Sequence, residues 1–471
     1  MLNKTILTKV ARVCLILDNP LRDIDGIILL ASELAINNVE VFVVPMYDQS
    51  FDVVALMPDL IVSNCARSDN YEQLSRYKMM GIKVAILDTE GTPSVGPDEF
   101  SLKVKKLNYE KIIDLYCFWG VDQYEAFKRN SVLPKNTLAL TGCPRFDFCS
   151  HNLKKTLPET KIQKDFILIN TRFPSINPRF TTGIDEERQG IIDAGYTAEW
   201  ADLYLTDCQN SYEKFIEVIE KLAIKFTNQI FVIRPHTFEN SKGYDSLLKF
   251  DNIHVQQEGT SIEWTNAATL LIHQNCTTSV EAVLLNKEVI SLEWFNTKIM
   301  KGEGSPSSIS FQPKNQKDLE KLLSDIISNK PLNTNNKLFK IRNDLIKAQY
   351  LSNDGNSTKR VTEAIINVLS SKSIPKFSLL PHFSTRSKLL FSLKKILGYK
   401  LYHFLKRVVQ GSKHDMRIKA KLFNLKHVNS IISRIDLAVP GQRNVNICYA
   451  SKNDMSNKRL SSGNVIKISL K

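Results

Sequence analysis

The sequence predicts an α/β protein in which two parallel sheets flanked by helices follow one another along the chain, with a basic extension behind them. Three observations lead there. Short β-branched runs alternate with amphipathic stretches through two long blocks, a pattern that builds strand–helix–strand units rather than hairpins. The length of 471 residues is too great for one ordinary domain of roughly 100 to 200 residues. The net charge of +14 is also unevenly spread: residues 371–471 hold 21 Lys and Arg against three acids, +18, so the first 370 residues carry 42 against 46, −4.

In the first block Val13 to Leu17, Val41 to Val44, Leu60 to Ser63, Val84 to Leu87, Leu115 to Phe118 and Leu138 to Leu140 read as strands. Their nearly unbroken apolar character suits a sheet covered on both faces. Ile24 to Ala35, Asn70 to Met80 and Gln123 to Arg129 read as the helices between them. The second block opens at Phe166 to Ile169 and continues with a helix around Ser211 to Phe226. Strands Ile230 to Ile233, Ile253 to Val255, Thr269 to Ile272 and Val289 to Leu292 follow, with a helix Ser279 to Leu285 that exits through Asn286-Lys287. Asp318 to Ile327, Lys337 to Lys347 and Thr358 to Leu369 close the block as helices. The expectation is therefore two Rossmann-like domains, residues 1–150 and 151–371, facing a cleft beyond the C-terminal ends of their strands, where such sheets bind ligands. The Pro-, Asn- and Arg-rich loop Thr171 to Gly183 is too poor in apolar residues for core and is expected to line or cover that cleft.

Residues 372–471, starting near Ile374-Pro375, form the basic extension. Leu390, Leu393, Leu397, Leu401, Phe404 and Val408 recur at helical spacing while Lys388, Lys394, Lys395, Lys406 and Arg407 occupy other faces. A helix of that kind fits an anionic membrane surface; packing of the same stripe on the body is the plain alternative. The stretch Ala438 to Lys471 has little periodicity and is expected to be disordered. No recognised nucleic-acid fold or aromatic platform accompanies the charge, so nucleic acid is not an expected partner. Ile6 to Leu17 is broken by Thr8, Lys9 and Arg12, and no run of eighteen apolar residues exists, so neither a signal peptide nor a spanning helix is expected. The cysteines (Cys14, Cys65, Cys117, Cys143, Cys149, Cys208, Cys276, Cys448) form no CxxC pair, which suits reduced cytosolic thiols and argues against a zinc site.

The chemistry-bearing residues fall where strands should end. Arg234 and His236 follow one strand and could neutralise a phosphate leaving group. Asn275, Thr277, Thr278 and Ser279 follow the next, where a helix should begin and offer free N–H groups, with Glu281 in its first turn. Plain helix capping is the alternative for these hydroxyls. Glu258 and Ser261 precede them at a spacing that suits a ribose contact. In the first block Asp88 and Glu90 end a strand and supply carboxylates able to deprotonate an acceptor hydroxyl. Arg145, Asp147, Asn170 and Arg172 are candidates for the acceptor side of the cleft, an ion pair being the alternative for Arg145 and Asp147. His273 reads as a satisfied core histidine. No acidic pair stands where a divalent metal would bridge a diphosphate, so no metal and no cofactor are expected.

In order, Leu87-Asp88-Thr89-Glu90-Gly91, Thr141-Gly142-Cys143-Pro144-Arg145-Phe146-Asp147, Ile167-Leu168-Ile169-Asn170-Thr171-Arg172-Phe173, Arg234-Pro235-His236-Thr237 and Asn275-Cys276-Thr277-Thr278-Ser279-Val280-Glu281-Ala282 resemble the surface carbohydrate biosynthesis proteins of bacterial polysaccharide gene clusters. That family resembles glycosyltransferases of the two-Rossmann GT-B type and, more distantly, bacterial sialyltransferases and Kdo transferases. The resemblance implies transfer of a 2-keto sugar acid from a CMP-activated donor to a glycan or glycolipid acceptor, on the cytoplasmic face of the inner membrane. It implies His236 as donor to the CMP phosphate, Thr277 and Thr278 as paired hydroxyls, and a carboxylate of the acidic-Gly motif as base. Thr237 replaces the Pro of the His-Pro motif and Thr89 replaces its first acid, which leaves Asp88 and Glu90 both as candidates. A CDP-glycerol or CDP-ribitol polyol-phosphate transferase, a UDP-sugar 2-epimerase and a non-catalytic assembly protein are the competing readings.

Overall fold

The computed structural model describes residues 10–90, 96–162, 165–297, 299–301, 305–330, 336–371, 383–410, 416, 418–439 and 444–471. It divides into two compact units, one made of residues 1–156 and 346–471 and the other of residues 157–345.

The first unit begins with β1 (Ala11–Leu17), α1 (Pro20–Ile36), β2 (Val39–Pro45), α2 (Gln49–Leu56), β3 (Leu60–Ser63), α3 (Tyr71–Met79), β4 (Lys83–Leu87), α4 (Pro97–Lys106), β5 (Leu115–Phe118), α5 (Val121–Arg129), β6 (Leu138–Leu140) and α6 (Pro144–Asp147). These six strands are parallel in the order β2-β1-β3-β4-β5-β6. Every residue of β3, β4 and β5 is buried, as expected of strands covered by helices on both faces. Helix α1 starts sharply because the Asn19 side chain accepts from Leu21 N and Pro20 takes the first helical position.

The second unit holds β7 (Phe166–Asn170), α7 (Ile184–Asp193), α8 (Ala198–Lys225), β8 (Ile230–Arg234), β9 (Ile253–Val255), α9 (Ser261–Ala267), β10 (Leu270–His273), α10 (Thr278–Leu284), β11 (Glu288–Ser291), α11 (Ser305–Ser308) and α12 (Gln316–Ile327). Its parallel order is β11-β10-β7-β8-β9. Ile167, Ile169, Phe231, Ile233, Leu270 and Ile272 of the sheet share a core with Phe215, Val218, Ile219 and Leu222 of α8. Helix α8 begins at Ala198 rather than near Ser211, capped by Thr197, because Ala201, Leu205 and Cys208 bury at helical spacing. Intervening Asp202, Thr206 and Asp207 hide that stripe in the sequence. Thus the chain is α/β with two Rossmann-like sheets, as the strand pattern predicts.

Helix α13 (Asn336–Tyr350) carries the chain back, and α14 (Ser357–Ser370), α15 (Thr385–Gln410), α16 (Leu425–Ala438), β12 (Val445–Tyr449) and β13 (Ile466–Leu470) all belong to the first unit. This corrects the expected boundaries, under which 151–371 formed one domain and 372–471 an appended tail. The expected start of the tail, Ile374-Pro375, lies outside the described residues. The described residues 444–471 of the stretch expected to be disordered are instead folded: β13 pairs antiparallel with β2, Ile466 opposite Val43 and Ile468 opposite Val41, and β12 pairs with β13. Two forces account for it. Val428, Ile431, Ile432 and Ile435 of α16 are buried, as are Ile466 and Ile468. The extension's cations also meet acids of the first unit, in Lys421–Asp18 at 3.1 Å, Arg434–Asp25 at 3.2 Å and Lys467–Glu40 at 2.7 Å.

Candidate functional site

A doubly wound sheet binds its ligand where neighbouring strands leave in opposite directions around the sheet. In the first unit that point lies between β1 and β3. The residues just past β1, β3 and β4 form a lattice of charges there. Arg22 contacts Asp18 at 2.8 Å, Asp23 at 2.9 Å and Glu90 at 3.3 Å, and Arg67 contacts Glu90 at 2.6 Å. The Thr89 hydroxyl donates to Asp18 Oδ2 at 3.3 Å, and the buried Lys421 donates to Asp18 Oδ1. Burial alone would raise the Asp18 pKa, but Arg22 and Lys421 outweigh it and hold the carboxyl below its ordinary value.

The two candidate bases differ sharply. Asp88 is buried at the end of β4, accepts the Tyr116 hydroxyl, and is pushed up to about 6 by desolvation. Glu90 is half exposed; burial would raise it, but the hydrogen bond from Arg67 and the charge of Arg22 hold it below the usual glutamate value. Gly91, the third residue of that motif, lies outside the described residues.

Arg145 and Asp147 of α6 serve architecture in this unit. The Arg145 guanidinium is buried, 3.2 Å from Asp23, and lies over the rings of Trp119 and Phe146. Asp147 accepts from Ser357 N, Thr358 N and Thr358 Oγ1, fastening the start of α14 across more than two hundred residues of chain. Asp147 is therefore a helix cap and not an acceptor contact.

In the second unit the corresponding point lies between β7 and β10. Asn170, the last residue of β7, donates from Nδ2 to Thr278 Oγ1 at 2.8 Å and so ties the two strand ends together. Thr278 in turn donates to Cys276 Sγ, and Asn275 turns the chain with a left-handed φ of 42°. Thr277 is exposed while Ser279 is fully buried. Asn170 Oδ1 and Ser279 Oγ are buried with no hydrogen-bond partner among the described residues. Helix α10, Thr278–Leu284, lies within one residue of the expected Ser279 to Leu285, and Thr277 makes no side-chain cap, so plain capping does not account for its hydroxyl.

Ser261 and Glu281 meet, the Ser261 hydroxyl donating to Glu281 Oε2 at 2.8 Å. Glu258 instead points to solvent and pairs with Lys161 at 2.5 Å, which depresses its pKa. Arg234 does not stand free for a phosphate. It is buried, and Nη1 and Nη2 donate to the carbonyls of Glu258 and Gly259 at 2.7 and 2.5 Å. Desolvation draws its pKa down to about 10. It clamps a turn in which Gly259 takes φ +75° and a Cβ would meet Glu263 Oε2 at 2.6 Å. His236 is exposed; its Nδ1 accepts from Phe238 N at 3.3 Å, which puts the proton of the neutral ring on Nε2. Arg172 donates to the Met300 carbonyl at 3.5 Å. His273 is a core histidine, with Cys276 N donating to Nδ1 and Ser310 bonded at Nε2; desolvation lowers its pKa to about 3.

Sequence reasoning did not single out Asp18, Arg22, Arg67, Tyr116 or Lys421. The run Asp18-Asn19-Pro20 carries a signal of the kind used elsewhere, a charged residue between a strand and a capped helix. Lys421 carries none, because it arrives from 403 positions away. Among the described residues no group of three His, Cys, Asp or Glu could hold a metal ion.

No protein-family model and no curated protein matches the chain. Solved structures do resemble it at the level of fold. S. aureus MnaA, in a structure with UDP, aligns at 14% identity and TM-score 0.49 over 77% of this chain and 99% of that one. The UDP-GlcNAc 2-epimerase of Methanocaldococcus jannaschii, in complex with UDP-GlcNAc and UDP, aligns at 13% and 0.47 over 76% and 99%. The wall teichoic acid polymerase TagF aligns at 11% and 0.39 over 66% and 73%.

Proposed function

We propose that this protein is a glycosyltransferase of surface-polysaccharide assembly. In the finer form of the reading it moves a 2-keto sugar acid from a CMP-activated donor to a lipid-linked or oligosaccharide acceptor, working peripherally at the cytoplasmic face of the inner membrane without a metal. The observation that carries the reading is the pair Asp88 and Glu90, two carboxylates at one sheet edge whose pKa values are driven in opposite directions. Such a divergence separates a proton-accepting role from a charge-holding one.

Asp88, at about 6, is poised to take a proton from an acceptor hydroxyl near neutral pH. Glu90 stays ionised and, with Arg22 and Arg67, orients the acceptor. In the second unit the Ser261–Glu281 pair would read ribose hydroxyls, and Nε2 of His236 would donate to the departing phosphate. The cytidine donor itself rests on the motif resemblance.

The experiment is a thermal-shift comparison of CMP, CDP and UDP, since a ligand that binds only the native state raises its melting temperature. Stabilisation by CMP above CDP and UDP is expected. Stabilisation by UDP alone would move the protein to a UDP-sugar class and overturn the donor assignment.

A further inference from the structure

We propose that helix α15 is the surface by which this protein docks on an anionic lipid bilayer. The proposal deepens the peripheral placement in the reading above, but it rests on separate residues. It also differs from the picture of a detachable tail, because α15 is part of the first unit's own surface.

One side of α15 is spent on the fold. Phe391, Tyr399 and Tyr402 pack against the first unit's core, and Tyr399 donates to the buried Asp48 at 3.0 Å. Lys394 lies along the same side, bonded to Ser50 and placed over the rings of Phe51 and Tyr402. Arg76 of α3 stacks on Phe383 and Phe391 and donates to Ser387. The helix bends at Gly398, where φ is 72° and a Cβ would meet the Arg459 carbonyl at 2.7 Å. The bend lets both limbs keep contact with the unit beneath.

The other side is apolar and open. Leu389, Leu393 and Ile396 on the first limb are 61, 36 and 67% exposed, and Leu401, Phe404 and Val408 on the second are 46, 58 and 71% exposed. Their spacing within each limb draws a continuous stripe. A soluble surface rarely gathers six large apolar side chains on one helix without a use for them.

Charge decides between the occupants. Helix α15 contains Arg386, Lys388, Lys394, Lys395, Lys400, Lys406 and Arg407 and no acid. A second copy of the chain would bring an equally acid-free helix against it, which an isologous contact cannot neutralise. An apolar stripe on a helix that carries exposed cations and no acid matches instead the hydrocarbon boundary and the negative headgroups of a bilayer. The neighbouring cavity of about 310 Å³ is lined by Arg76, Arg386 and Lys394 but also by Asp69 and Glu72. The stripe, rather than that cavity, therefore carries the proposal.

The test is cosedimentation of the full chain with phosphatidylcholine vesicles and with vesicles containing a third phosphatidylglycerol, at low and high salt. Binding is expected only to the anionic vesicles at low salt. A variant carrying Leu393→Ser, Ile396→Ser, Phe404→Ser and Val408→Ser should lose roughly ten-fold or more of that affinity. Its circular dichroism and nucleotide-induced thermal shift should be unchanged, because these side chains are exposed. Failure of the native chain to bind anionic vesicles at low salt would overturn the proposal. So would equal binding by the folded variant, or concentration-dependent dimerisation that the four changes abolish. A chain that binds vesicles but no nucleotide would refute the transferase reading while leaving the docking surface in place.

Discussion

The two switch points of this molecule are built from opposite materials. In the first unit, between β1 and β3, six ionised or ionisable groups (Asp18, Arg22, Asp23, Arg67, Glu90 and Lys421) interlock, with Asp88 buried beside them. In the second, between β7 and β10, amides and hydroxyls are joined by one carboxylate, Glu281, which accepts from Ser261, and the buried Arg234 is occupied by backbone carbonyls. Since each sheet is built around a run of parallel, helix-covered strands, the contrast lies in the loops. Burial raises the proton affinity of Asp88, whereas the charged lattice of Arg67 and Arg22 lowers that of Glu90. Amides and hydroxyls do not titrate in this range and can hold a ligand by hydrogen bonds alone. On the proposed reading, acid–base work belongs to the first unit and ligand binding to the second.

The largest effect should come from breaking the charged side. Asp88→Asn keeps an acceptor for Tyr116 but cannot take a proton, and turnover should fall by roughly 10²–10⁴-fold. The native rate should rise with pH through a midpoint near 6 and flatten above it. Glu90→Gln should cost less and leave that midpoint in place. If Asp88→Asn keeps near-native turnover, the base lies elsewhere. Stability should show the opposite trend: the folded pKa of Asp88 lies above its ordinary value, so its contribution is fully present below about pH 4 and lost as pH rises through about 6. Asp88→Asn should therefore gain on the native protein in melting temperature between pH 4 and pH 8.

A smaller effect tests whether Arg234 is a clamp. Arg234→Met would leave the carbonyls of Glu258 and Gly259 without their donors and should destabilise the second unit by roughly 2–4 kcal/mol in chemical denaturation. A stable variant that instead loses nucleotide affinity would return Arg234 to the phosphate. Smallest of the three, Asp147→Ala should cost about 0.5–2 kcal/mol as a lost helix cap while leaving turnover near native below the melting transition. A large loss of turnover in that variant would bring Asp147 back as a base.

Much of the scaffold was legible because its strands are short apolar runs. Val84 to Leu87 and Thr269 to Ile272 could not be placed on a half-wet sheet, and each lies within one residue of a strand found, Lys83–Leu87 and Leu270–His273. The hairpin of β12 and β13 was not legible, since Ile466-Lys467-Ile468-Ser469 alternates over only a few residues and finds its partner strand more than four hundred positions back. The site was legible in part for the same reason. Asp88, Glu90, Ser261 and Glu281 stand at strand ends or in the first turn of a helix, where local pattern points to them. Lys421 and the clamp role of Arg234 depend on distant backbone, and no local pattern encodes a distant partner.

The most direct test of this division of labour is a calorimetric titration of CMP into the native protein, Asp88→Asn and Glu281→Gln, each checked for its fold. Glu281 bonds to Ser261 in the second unit and Asp88 to Tyr116 in the first. The account predicts that Asp88→Asn binds CMP with native affinity while Glu281→Gln binds it roughly ten-fold or more weakly. Loss of binding in Asp88→Asn with native binding in Glu281→Gln would contradict it.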